Sequence, residues 1–215
     1  MSEGKSILID TSKCTACRGC QVACKQWNQL PATKTENVGG HQNPQDLSAS
    51  TWKLVRFSEG ANGDGKPFWY FMAEQCRHCL TPGCMSPVEN DEIIQDEKTG
   101  AVIFTEKTKN ISFKESRENC PYDIPRQNEK TKVFEKCTMC IDRITDGLQP
   151  ACVKTCPTGT MFFGDRDVVL KKAKDRVAEL KKTYPKAQAV NPDDVRVIFI
   201  VTDDPKKYWK FLAGR

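Results

Sequence analysis

Cys14-Thr-Ala-Cys17-Arg-Gly-Cys20-Gln-Val-Ala-Cys24 is the stretch on which the reading of this chain turns. Its C-x2-C-x2-C-x3-C spacing places three thiols within about one turn of each other, with a fourth just beyond. In such a run the first three thiolates hold one [4Fe–4S] cube and the fourth reaches across to another. The complementary set lies downstream, at Cys137-x2-Cys140-x11-Cys152-x3-Cys156-Pro157. Exchange of fourth ligands then groups Cys14, Cys17, Cys20 and Cys156 on one cube. It groups Cys24, Cys137, Cys140 and Cys152 on the other. Pro157 redirects the chain where the crossing ligand leaves.

The remaining four of the chain's 12 cysteines are Cys76-x2-Cys79-x4-Cys84 and the isolated Cys120. A complete second run would place a cysteine at position 88, where Val88 stands, and three more ahead of Cys120, where there are none. Both absences concern one and the same cube. Three cubes therefore use every thiol, the third resting on Cys76, Cys79, Cys84 and Cys120. Val88 reads as an ordinary core valine, one that can also fill the vacated space.

Two other uses of these cysteines satisfy the arithmetic. Zinc sites take four thiolates, but they usually pair one C-x2-C with a distant second pair. A disulfide framework suits an even count, but three thiols in a row suit a metal better. The only histidines are His41 and His78. With four thiolates per cube, His78 reads as a surface or supporting residue and not as a ligand. Lys25, beside Cys24, is a candidate for raising a cluster's potential by its charge, although its plain reading is a solvated lysine.

The rest of the chain excludes several classes of function. A net charge of +5, from 33 basic and 28 acidic residues, is mild. No basic stripe is interleaved with base-stacking aromatics, so nucleic-acid binding is not expected. Gly63-Asp64-Gly65 is a turn and not a nucleotide fingerprint. No Ser/His/Asp set is visible, and no catalytic residue is assigned. Met1–Asp10 has no apolar core of a signal peptide, and no stretch approaches the roughly 20 apolar residues of a membrane span.

Pattern reading predicts a strand at Ile7–Ile9, a helix through Val22–Gln29 and a polar loop over 31–50. It also predicts strands at Thr51–Phe57 and Pro67–Ala73 around the Asn62–Gly65 turn, then a hairpin of Glu92–Gln95 with Ala101–Thr105. Leu170, Ala173, Val177 and Leu180 recur at helical spacing after Asp165, a candidate cap. Val195–Val201 reads as a buried strand, and Asp204-Pro205 opens a short helix bearing Tyr208, Trp209 and Phe211.

A family resemblance rests on these same segments. Cys17-Arg-Gly-Cys20-Gln-Val-Ala-Cys24-Lys-Gln-Trp27-Asn resembles the iron–sulfur subunit of formate dehydrogenases. So do Lys136-Cys-Thr-Met-Cys140-Ile-Asp-Arg143, Gln149-Pro-Ala-Cys152-Val-Lys-Thr-Cys156-Pro-Thr-Gly159 and Cys120-Pro-Tyr-Asp-Ile-Pro-Arg126. The resemblance implies an α+β fold of two ferredoxin-like modules, one inserted in the other. The first would comprise 1–69 and 131–164 with two clusters, and the second 70–130 with one. A helix–strand–helix extension over 165–215 would pack on the modules and the partner.

The implied function is non-catalytic: relaying electrons from formate oxidation through three [4Fe–4S] clusters to an acceptor such as a multihaem cytochrome c. The partner would be a large catalytic subunit carrying molybdopterin with tungsten or molybdenum. Membrane-bound relatives have four clusters and a C-terminal membrane helix, so this chain is closer to the soluble, two-subunit enzymes of sulfate-reducing bacteria. Those are periplasmic, exported folded with the partner; a cytoplasmic complex is the alternative. The other readings are a subunit of a thiosulfate, polysulfide, nitrate or sulfoxide reductase, and a zinc-stabilised binding scaffold.

Overall fold

In the computed structural model, residues 4–86 and 88–215 are described. The first half holds β1 (Lys5–Asp10), α1 (Gly19–Trp27), β2 (Leu54–Ala61), β3 (Pro67–Glu74), β4 (Ile93–Gln95) and β5 (Val102–Phe104). Then come α2 (Phe113–Glu118), β6 (Arg126–Gln127), β7 (Phe134–Glu135), α3 (Ile141–Thr145) and α4 (Ala151–Lys154). The chain closes with β8 (Met161–Asp165), α5 (Arg166–Leu180), β9 (Gln188–Val190), β10 (Val197–Val201) and α6 (Pro205–Tyr208).

One sheet organises these pieces, in the order β8-β1-β10-β9. β10 is all apolar (Val-Ile-Phe-Ile-Val) and buried along its whole length, as a central strand covered on both faces must be. It runs parallel to β1, with Ile7 opposite Val197 and Ile9 opposite Phe199. Alternation then splits the side chains between two cores. Leu8, Ile198 and Ile200 pack with Val169, Ala173 and Leu180 of α5. Ile7, Ile9, Val197, Phe199 and Val201 face Cys20, Met139, Cys152 and Val153. The cysteine-bearing helices thus lie on one face of the sheet and α5 on the other.

The expected hairpins are present, with β2 paired to β3 and β4 to β5. The 31–50 segment carries neither helix nor strand. Asp46 ties it down by pairing with Arg56 of β2 and, at 2.7 Å, with Arg126.

Four local expectations are corrected. The first helix begins at Gly19, so Cys20 and Cys24 both ride on it. Asp165 stands at the start of α5 but makes no side-chain cap, because its carboxylate pairs with Lys5 at 2.6 Å. Arg166 anchors that end instead, donating to the carbonyls of Val195 and Pro192. The last helix stops at Tyr208, before Trp209 and Phe211. The residues after 165 are also woven into the fold, since β10 inserts beside β1.

Candidate metal centres

Two short helices set the arrangement of the first and last cysteine runs. α1 carries Cys20 and Cys24; α4 carries Cys152, with Cys156 just past its end. A spacing of four puts each pair on one helical side, about 6 Å apart along the axis. The two helices pack together, which brings these four thiols into one region. Cys24 lines a cavity with Cys137, Cys140 and Cys152. Cys20 stands within electrostatic reach of Cys14 and Cys156, and Cys14 within reach of Cys17.

A second cavity is lined by Cys76, Cys79, Cys84 and Cys120. Here too a helical turn faces a helix: Gly83–Met85, bearing Cys84, meets α2, which leads into Cys120. Ser116 of α2 donates to the Cys84 carbonyl at 3.1 Å. Gly83 permits the approach, because a Cβ there would lie 2.5 Å from the Asn119 carbonyl oxygen. Val88 packs, partly buried, against the core that contains Cys76, Cys84 and Cys120.

The C-x2-C loops share one backbone device. The residue before the second cysteine is left-handed in three of them, with φ 54° at Ala16, 46° at His78 and 60° at Met139, and in Cys17-x2-Cys20 the left-handed residue is Arg18, φ 62°. Non-glycine residues adopt this conformation at a cost of about 1–2 kcal/mol. The bend turns backbone N–H groups onto sulfur. His78 N–H donates to Cys76 Sγ at 3.4 Å, and Met139 N–H to Cys137 Sγ at 3.3 Å. Such bonds offset thiolate charge, one of the means by which proteins tune iron–sulfur potentials.

The cavities fit a cube's requirements. Each is a small space lined by four cysteines, the ligand number a cube takes. Gln75 Nε2 in the first lining and Arg77 Nε in the second are buried without hydrogen-bond partners. An N–H left so is costly, and a sulfide or thiolate sulfur inside the cavity is the acceptor each needs. Among the described residues, no three Cys, His, Asp or Glu converge closely enough for a single ion. Burial pushes the free thiols up, to about 12 at Cys20, Cys24 and Cys79 and to about 11 at Cys140. Bound metal is what makes such thiols thiolates. At Cys156 burial also pushes upward, but the Thr158 hydroxyl and the Met161 N–H outweigh it and hold this thiol low.

Several residues that sequence reasoning missed close these sites. Lys53 and Gln75 line the first cavity, and Arg77 and Lys136 the second. Lys53, Arg77 and Lys136 are all buried. Lys25, singled out for its place beside Cys24, lies within electrostatic reach of that thiol and has a second task. Its ammonium binds the carbonyls of Pro31 and Ser50, both at 2.6 Å, and pins the loop. His78 is fully buried, not at the surface, and its Nδ1 accepts from Val102 N–H at 3.0 Å. His41 is exposed and packs near Phe57 and Trp69.

Residues 67–166 match the 4Fe-4S dicluster domain family. The chain is 48% identical to formate dehydrogenase 2 subunit beta (cytochrome c-553) of Nitratidesulfovibrio vulgaris, over 97% of this chain and 98% of that one. It is 50% identical to formate dehydrogenase subunit beta of Megalodesulfovibrio gigas, over 98% and 99%. The chain belongs to the family of formate dehydrogenase beta, or iron–sulfur, subunits. It is accordingly an iron–sulfur protein of mixed α/β fold with a ferredoxin-type dicluster domain, and an electron-transfer subunit that is not itself catalytic. The formate dehydrogenase-O iron–sulfur subunit of Escherichia coli is 39% identical over 94% of this chain and 68% of its own length. Among the described residues no helix is long and apolar enough to cross a membrane.

Two segments that carried the family resemblance meet in space. The Trp27 indole donates to Asp142 at 2.8 Å, and the Arg143 guanidinium lies 4.2 Å over its ring. This clasp joins the end of α1, just past Cys24, to α3, just past Cys140.

Proposed function

We propose that this beta subunit carries electrons from formate oxidation, performed on a catalytic partner, to an external acceptor through three [4Fe–4S] clusters. The observation that carries this reading is the grouping of the thiols. Four line each of two similar cavities, and the remaining four, Cys14, Cys17, Cys20 and Cys156, are left for a third, supported by the electrostatic reach of Cys14 to Cys17 and Cys156 and of Cys20 to Cys14 and Cys156. When bound, each cube supplies one-electron redox chemistry at a potential set by its surroundings. The chain's own residues bind the cubes, exclude water and fix the charges around them.

Shared neighbours support an order for the proposed sites. Cys20 and Cys24 ride one helix, which puts the first two sites side by side. Cys137 of the second site lies within electrostatic reach of Cys76 of the third. The site at Cys24, Cys137, Cys140 and Cys152 is therefore the middle one. Cys17 is exposed, so the first site reaches the surface. The paired helical supports at α1 with α4, and at Gly83–Met85 with α2, favour two ferredoxin-like modules, 70–130 being inserted between 1–69 and 131–164.

In this reading the partner is a large subunit with molybdopterin bearing tungsten or molybdenum, in a heterodimer. The acceptor is a cytochrome c, multihaem in type, and the compartment is the periplasm, reached by export with the partner. The test is to purify the native complex and add formate anaerobically. Visible bleaching of the beta-subunit clusters by formate within turnover, with no return of colour when nitrate or thiosulfate is added to the reduced complex, is the expected result. Clusters indifferent to formate would overturn the reading.

A further inference from the structure

Lys53 lies one step beyond the end of the β2–β3 ladder. Leu54 pairs with Glu74 in that ladder, so Lys53 and Gln75 are the next pair across the hairpin. This places both side chains inside the protein, at 2% and 1% exposure. The Lys53 ammonium donates to the Gln75 amide oxygen, a neutral acceptor and not a carboxylate. Both residues line the cavity of Cys24, Cys137, Cys140 and Cys152.

A buried ammonium beside a neutral amide is costly unless an anion lies close by. The candidate anions here are sulfur. Cys152, Cys20, Cys137 and Cys24 are the sulfurs within electrostatic reach of its ammonium. Those four do not belong to one set. Cys20 is grouped with Cys14, Cys17 and Cys156, while Cys24, Cys137 and Cys152 belong to the enclosed cavity. Lys53 also acts on Cys14 of the first set. Val55 N–H donates to Gln21 Oε1 at 3.0 Å, so the start of β2 abuts α1 between Cys20 and Cys24, and Lys53 stands where the two sites adjoin.

We propose that Lys53 is the shared counter-cation of the first two clusters, raising both reduction potentials while leaving the third untouched. This rests on the three-cluster reading above. A [4Fe–4S] cube on four thiolates is anionic and gains one further negative charge on reduction. A fixed positive charge therefore favours the reduced form, and net charge is among the determinants of these potentials. The effect falls with distance, and the third site has its own buried cations in Arg77 and Lys136. Gln75 is the positioning residue: its oxygen holds the ammonium, and its partnerless Nε2 is left for the cluster.

The test uses the intact complex with its catalytic subunit, titrated potentiometrically and followed by EPR, with iron counted in every sample. In Lys53→Met, the reduced-to-oxidised ratio at a fixed potential should fall at least tenfold for two clusters, a shift of 59 mV for one electron. The third cluster should keep its wild-type ratio, and Lys53→Arg should restore the other two. Full iron with unmoved potentials, or an equal shift in all three clusters, would overturn the proposal. If Lys53→Met loses iron, Gln75→Glu decides. That variant keeps the lysine and sets a carboxylate on it, so the same two potentials should fall; unchanged potentials would count against Lys53. A wild-type complex whose beta chain lacks three titrating clusters defeats the three-cluster reading instead, and the two failures are distinguishable.

Discussion

The cavity at Cys24, Cys137, Cys140 and Cys152 and the cavity at Cys76, Cys79, Cys84 and Cys120 are close in size but differently charged. The first has one buried cation, Lys53, which it shares with a neighbouring site. The second has two, and each is held by a different part of the fold. Arg77 lies 4.5 Å over the Phe199 ring of β10 and donates to the Val190 carbonyl of β9. Lys136 reaches the carbonyls of Val102 and Cys137 and lies 4.6 Å over the Phe104 ring. In the proposed three-cluster reading, four thiolates in a pocket set the cofactor, whereas buried cations from outside the cysteine motifs set its electrostatics. On charge alone, the third cluster should have the highest potential of the three.

The supports differ as well. The first two sites hang on α1 and α4, packed against the central sheet. The loop Cys76–Leu80 is instead strapped to the lead-in of β10. Leu80 N–H donates to the Asp194 carbonyl at 2.8 Å, and Val197 N–H to the Arg77 carbonyl at 2.9 Å. The carboxyl-terminal part of the chain therefore holds the third site directly, so damage at either end of this strap should be felt there first.

The largest effect expected is from Cys120→Ala, which removes a ligand of the third cube alone. Iron should fall by about four atoms of about twelve, with the other two EPR signals intact; loss of two cubes would break the division of thiols drawn here. Next is Lys136→Met. The third cluster's potential should drop by some tens of millivolts, given about 2 kcal/mol for a unit charge ~7 Å away at an effective dielectric of ~20. The middle cluster, whose ligand Cys137 accepts from Lys136 at its carbonyl, should drop less and the first cluster least, which potentiometric EPR reads directly.

Gly83→Ala should act on assembly. Its new Cβ would strike the Asn119 carbonyl, at a cost of about 1–3 kcal/mol. Third-cluster iron should then be lost to a chelator faster than in the wild type, with the other two sites unaffected. The smallest effect belongs to Trp27→Ala, which opens the clasp to Asp142 and Arg143. A loss of about 1–2 kcal/mol in stability, seen as a lower melting temperature with full iron content, would place this contact in packing and not in cluster binding.

Much of this was legible in the cysteine spacing, because thiolate ligation is local and the i, i+4 pairs Cys20/Cys24 and Cys152/Cys156 encode the exchange between sites. The hairpins and the α5 stripe were legible for the same reason: period and turn chemistry are short-range. The sheet order was not. β1 and β10 are both apolar runs, but nothing within either specifies a parallel pairing across nearly the whole chain. Lys53 was also hidden, since a lysine between Trp52 and Leu54 looks like the polar edge of a strand. Only the β2–β3 register, by setting it beside Gln75, turns it inward. Lys25 was legible only in part, because adjacency to Cys24 keeps it within that thiol's reach while its hydrogen bonds go to the loop.

The most direct test is the count of iron and acid-labile sulfide per beta chain in the anaerobically purified complex, with the catalytic subunit's own iron subtracted. About twelve of each, as three cubes of four irons and four sulfides, is the result this account requires. About eight of each, or zinc in place of iron, would contradict it.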